Sequence, residues 1–260
     1  MPVTYSSYLK LDELLALQQP LSDGPEHDEL LFIVIHQVYE LWFKEMLHEL
    51  DYLKKLLVAR DTPRALHTFK RVLTILKVAV AQIDILETMT PLEFLSFRAR
   101  LESGSGFHSF QFRGFEFVLG AKNRDALERY PLDSTVRGGL EQRLNEPTLW
   151  DAFLRYLTSC GHAVPVEALE RDVTTPIAEV QALHPVLLGV YRSDPEARTV
   201  CELMVDLDEG VQEWRYRHVK MVQRTIGTRR GTGGSEGAAY LMTTLNRPVF
   251  PDLWAIRAEL

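Results

Sequence analysis

Between residues 30 and 53 the apolar side chains recur at intervals of three and four: Leu30, Leu31, Ile33, Val34, Val38, Leu41, Trp42, Met46, Leu50 and Leu53. That period belongs to an α-helix burying one stripe, and it returns along nearly the whole chain. The spacing predicts a helix past Pro25 and Asp28 that runs to about residue 59. Thr62-Pro63 reads as an N-cap with proline at the first helical position, opening a second long helix over 65–86. Thr90-Pro91 repeats that signal for a helix through residue 101. A Gly/Ser break at 103–106 precedes an aromatic helix, FHSFQFRGFEFVLG, that stops at Gly120. Shorter helices fill 123–161, one of them from 147 to about 159. A looser proline-containing stretch covers 162–186, and another long helix covers 195–226. After RRGTGGSEG a short helix closes the chain. With no alternating valine and isoleucine segment, no repeat and no long linker, the expected fold is all-α, one domain of long packed helices over 1–260.

The chain has 260 residues, 46% hydrophobic and 25% charged, a composition that excludes disorder and disulfide miniatures. A chain of this size can bury a core large enough to enclose a cofactor. The net charge of −7 repels nucleic acid and anionic membranes as a whole, so any anion site must be local. The longest apolar run, 30–35, falls far short of the ~20 residues a bilayer span needs. No basic segment followed by an apolar one opens the sequence, which places the expected location in the cytoplasm. Cys160 and Cys201 form no CxxC pair, which argues against a disulfide framework and a cysteine-rich zinc site.

Two of the eight histidines fall within apolar helical faces. His36 is one turn from Phe32 and Ile33 and two turns from Phe43; His218 is one turn from Trp214, Met221 and Val222. A core histidine satisfied by a hydrogen bond is the ordinary reading. A neutral imidazole facing an apolar interior is also what an iron or haem site requires. Glu45 and His48 form one Glu-x-x-His, but a di-iron bundle needs two, so these read as solvated or interhelical polar residues. Phe94 and Arg98, one turn apart, can hold an aromatic ring and a carboxylate together, since the guanidinium fork matches a carboxylate. The run 231–237, GTGGSEG, can turn backbone N–H groups toward an anion, with Thr232 and Ser235 adding hydroxyls, or can be a flexible surface loop or lid. Arg215, Arg217, Lys220, Arg224, Arg229 and Arg230 crowd around His218, an excess of charge that could pair with propionates, phosphates or acidic neighbours. Nucleic-acid binding is the runner-up for this patch, but no reading motif accompanies it, and a solvated face is the main reading.

Read together, these segments resemble the tryptophan 2,3-dioxygenase family over nearly the whole chain. YSSYLKLDELLALQQPLS is similar to its opening segment and HDELLFIVIHQVYELWFKEMLHELD to its distal-histidine helix. MTPLEFLSFRARL and SGFHSFQFR resemble its substrate-arginine and haem-edge segments. WRYRHVKMVQRTIGTRRGTGGSEG resembles its proximal-histidine helix and closing loop. The resemblance implies an all-helical homotetramer, a dimer of dimers, with one haem b per subunit. It would oxidise L-tryptophan with O2 to N-formyl-L-kynurenine, the first step of tryptophan catabolism. His218 would be the axial ligand of the haem iron, with Trp214, Ser105 and Gly106 beside the cofactor. His36 would lie on the distal side near the indole N–H, cast as an orienting hydrogen-bond partner. Phe32 and Phe94 would wall the indole, Arg98 would bind the substrate carboxylate, and Thr232 would meet its amino-acid end. Residues 1–20 would exchange into a neighbouring subunit, so that Tyr5, Tyr8 and Leu9 complete its pocket.

Two positions depart from the family pattern: His108 stands where glutamine is expected in SGFQS, and Glu236 where serine is expected in GTGGSSG. They leave open a related haem oxygenase that inserts one oxygen atom into a modified tryptophan. A non-enzymatic helical binding or scaffold protein is the third reading, and bound haem separates it from the other two.

Overall fold

A computed structural model describes every residue except 1, 25, 103, 105 and 233–236. Among the described residues there is no β-strand, and no helix is long and apolar enough to cross a membrane. Two short helices open the chain, α1 (Tyr5–Leu9) and α2 (Leu11–Leu15), followed by the long α3 (His27–Val58) and α4 (Thr62–Leu86). Next come α5 (Pro91–Phe97), α6 (Phe110–Leu119), α7 (Thr135–Asn145), α8 (Leu149–Ser159) and α9 (Val166–Leu169). The chain ends with α10 (His184–Ser193), the long α11 (Pro195–Ile226), α12 (Ala238–Met242) and α13 (Pro251–Ala255).

The frame is α3 laid along α4, with α11 on the other side of α4 and α8 and α6 against α3. One continuous core joins Leu50, Leu53 and Leu57 of α3 to Phe69 and Leu76 of α4, Phe153 of α8 and Met204 of α11. α11 approaches α4 closely at Gly210, where an added Cβ would stand 2.8 Å from Leu76 Cδ2. Both long helices start as their sequences foretell, except that Asp61, not Thr62, caps α4 by accepting from Arg64 N. Asp194 caps α11, whose bounds match the expected 195–226.

Several expectations need correction. The buried stripe of α3 is Ile35, Tyr39, Phe43, Met46, Leu50 and Leu53, whereas Leu30, Val34 and Leu41 are exposed. α3 is apolar on two opposite faces, and only one can meet the core. The Pro91 helix tightens into a 3-10 turn over Arg98–Leu101, and the aromatic helix begins only at Phe110, capped by the Ser109 hydroxyl. The loose stretch 162–186 contains α9, and two short helices rather than one close the chain. Near the N-terminus α1 is fixed by a capping box between Thr4 and Ser7, yet neither α1 nor α2 buries a single residue.

Candidate active site

The N-terminal half of α3 and the C-terminal part of α11, with α5, α6 and the segments around residues 104 and 232, line a cavity of about 230 Å³. His36 enters it from α3. Its Nδ1 lies 2.7 Å from the Phe32 carbonyl oxygen, one turn earlier. A carbonyl only accepts, so Nδ1 carries the proton and Nε2 keeps its lone pair. Burial holds the His36 pKa below the ordinary histidine value, against the raising effects of that hydrogen bond and of Glu40. The ring therefore stays neutral.

His218 enters from α11. Burial pushes its pKa down to about 4, and the nearby His36 imidazole, with which it would compete for a proton, lowers it further. It lies deep in the protein, and the surface it retains opens onto the cavity. Trp214, one turn earlier, stacks on it with ring centroids 4.9 Å apart and planes at 12°. Phe112 of α6 backs Trp214 at 4.6 Å, and Phe43 stands 5.2 Å from Phe112. The Trp214 Nε1 is buried without a partner.

The other wall is aromatic as well. Phe32 packs against His36 with tilted rings 4.1 Å apart and meets Phe94 at 5.8 Å. Arg98, at the point where α5 tightens, faces the cavity beside Phe94. Its Nη2 donates to the Arg230 carbonyl at 2.5 Å, while its Nε is buried without a partner. Thr232 donates from its hydroxyl to the Gly104 carbonyl at 3.0 Å, so the segments flanking the cavity mouth are tied together. Gly237 lets the chain return here: its φ is +62°, and a Cβ would fall 2.7 Å from the Arg229 carbonyl oxygen.

The tryptophan 2,3-dioxygenase family model matches residues 1–134 and 178–260. The chain belongs to the tryptophan 2,3-dioxygenase family. It is 61% identical to the tryptophan 2,3-dioxygenase of Herpetosiphon aurantiacus over 259 residues, covering 99% of this chain and 98% of that one. The enzyme of that name from Anaeromyxobacter sp. strain K is 56% identical over 99% of this chain and 96% of its own length. That of Caulobacter vibrioides is 44% identical over 99% and 98%.

The structure brings most of the residues singled out by the family resemblance to one place. Phe32, His36, Phe94, Arg98, Gly106, Trp214, His218 and Thr232 all line the cavity. Ser105, Ser235 and Glu236 lie outside the described residues. Tyr5, Tyr8 and Leu9 are exposed on α1 and do not reach the cavity of their own chain. His108 does not line it either; its carbonyl accepts from the Tyr130 hydroxyl at 3.3 Å. Glu45 is half-buried and His48 exposed, both away from the cavity.

The basic cluster around His218 divides. Arg217 pairs with Asp84 at 2.5 Å and Glu87 at 3.4 Å, and Arg224 reaches Glu87 at 3.5 Å, so both serve the α11–α4 contact. Arg215 alone of that cluster is buried on the cavity wall. There it meets Glu116, which also pairs with Arg113. Sequence reasoning missed Tyr39, Glu40, Arg113 and Glu116. Tyr39 and Glu40 lie on the turn of α3 that follows His36, and Arg113 and Glu116 lie three apart on the aromatic helix, so helical spacing from the chosen residues would have reached the first pair.

Proposed function

We propose that this chain is a haem-dependent enzyme that inserts both atoms of O2 across the indole C2–C3 bond of L-tryptophan, giving N-formyl-L-kynurenine. The observation that carries this reading is one cavity lined by two neutral histidines together with Arg98 and Thr232, in a chain of this family.

The residues fit a haem. His218 offers a neutral imidazole, the form that binds iron, at the deep end of an aromatic-walled cavity. Bound haem would supply oxygen activation, leaving the protein to position the substrate and exclude water. His218 would hold the iron and Trp214 would fix the plane of that imidazole by stacking. Phe32 and Phe94 would pack on the indole. His36, with its proton committed to the Phe32 carbonyl, would accept the indole N–H at Nε2 and so set the ring's orientation. The unpartnered Nε of Arg98 is a ready donor for the substrate carboxylate, and Thr232 would meet the amino-acid end.

Assembly is part of the same reading. α1 is capped, yet neither α1 nor α2 buries a residue, and Leu30, Val34 and Leu41 form an exposed apolar face on α3. Burial by further copies in a homotetramer would cover both, and would let Tyr5, Tyr8 and Leu9 complete a neighbour's pocket. We place the assembled protein in the cytoplasm.

The deciding experiment is an anaerobic spectrum of the ferrous protein with and without L-tryptophan, followed by product mass on adding oxygen. A Soret band that responds to tryptophan and a product heavier by two oxygen atoms are expected. No Soret band after haem supplementation would reject the reading, and gain of one oxygen atom would favour a monooxygenase. His218→Ala should lose normal iron ligation. Removal of residues 1–9 should lower turnover more than haem content; equal activity would remove α1 from the site.

A further inference from the structure

Part of the cavity wall is a buried charge cluster that positioning of the indole leaves unused. Arg113 and Glu116 lie one turn apart on α6, and Arg215 lies one turn before His218 on α11. Their side chains are only 11%, 10% and 9% exposed. Glu116 receives Arg113 on Oε2 and Arg215 on Oε1, the latter at 3.4 Å, so two cations share one carboxylate. Glu40, the other carboxylate on the wall among the described residues, is engaged by the Gln111 amide at 3.2 Å instead.

Arg215 is loosely held. Its contacts to the Thr244 carbonyl, the Arg247 carbonyl and Glu116 are 3.4, 3.3 and 3.4 Å long, and its Nε is buried without a partner. Arg171, by contrast, grips Asp151 at 2.8 and 3.0 Å. A guanidinium cannot shed its charge by losing a proton, so a buried one with spare donors calls for an anion. The cavity is the side from which one can come.

We propose that Glu116 is an internal counter-ion that holds Arg113 and Arg215 in place until the carboxylates of the porphyrin arrive to share them. The proposal rests on the haem reading above. No covalent bond changes. Glu116 steadies the two guanidiniums in the empty cavity and repels the cofactor's carboxylates in the filled one, so it limits how tightly haem is kept.

The test follows haem loss from the loaded full-length chain to excess apomyoglobin, using iron protoporphyrin IX and its dimethyl ester. The wild-type chain should release the ester at least about tenfold faster, the loss of one or two charge-assisted hydrogen bonds. Glu116→Gln should retain haem several-fold longer than wild type while releasing the ester at the wild-type rate. Arg215→Met should release haem faster and discriminate less between the two porphyrins. Equal release of both porphyrins by the wild-type chain, or faster haem loss from Glu116→Gln, overturns the proposal. The first comparison needs no substitution, so a variant that fails to fold does not shelter it. Failure of the wild-type chain to take up either porphyrin overturns the haem reading itself, and this proposal with it.

Discussion

Asp208 and Arg215 lie two turns apart on α11, both charged and both buried, yet the chain partners them very differently. Asp208 is wholly enclosed, and its Oδ2 accepts from Val249 N at 2.7 Å, Phe250 N at 2.9 Å and Trp254 Nε1 at 3.0 Å. Arg215 has only long contacts and an orphaned Nε, and Trp214 beside it has an orphaned indole N–H. The half of α11 before residue 212 is therefore complete in itself: its polar group pins the C-terminal segment to the core. The half after it faces the cavity with donors to spare. A buried polar group satisfied by the chain is evidence of architecture, whereas one left wanting on a cavity wall is evidence of a ligand.

Asp208→Ala would break that comparison most sharply. It strands two buried backbone donors and the Trp254 indole N–H around a wholly enclosed position, and stability should fall by about 3–5 kcal/mol, read from denaturant unfolding. A loss under about 1 kcal/mol would show that the segment around Phe250 is held by packing alone. Arg98→Ala is its counterpart on the cavity. Stability and haem content should be nearly unchanged, while tryptophan binding weakens by about 2–5 kcal/mol because a desolvated carboxylate loses its cation. Calorimetric titration measures this, and wild-type affinity would take Arg98 out of the site.

The same contrast governs how much the sequence disclosed. The bounds of α11 were legible because Asp194-Pro195 is a strong start signal and a 32-residue amphipathic run follows it. In α3 the period was legible but the phase was not: Leu30, Val34 and Leu41 are as apolar as Ile35, Tyr39 and Phe43, and only the tertiary neighbours select between the faces. His36, Phe94, Arg98 and His218 stood out as types suited to the chemistry. Arg215 did not, since among six basic residues nothing local separates it from Arg217 or Arg224. Its partner Glu116 is 99 positions away, on a helix that reads as aromatic core. Local pattern reports the period and ends of helices, and charge placement across the fold lies beyond it.

Gly210 offers the smallest and most discriminating change, because it sits between Asp208 and Arg215 on the same helix. A methyl group there would lie 2.8 Å from Leu76 Cδ2 and 3.4 Å from Leu76 Cγ, the contacts it would make beyond its own stretch of helix. Leu76 is itself buried, so its side chain must find another rotamer in a close-packed core, or α11 must back away from α4. The first response costs about 1–3 kcal/mol and stays local. The second would carry Trp214 and His218 with the helix. Gly210→Ala is expected to lower Tm by several degrees and leave the haem spectrum as in wild type. A shifted Soret band would mean that the two halves of α11 move as one rod, and that the glycine is needed for the placement of His218 as well as for the packing beneath it.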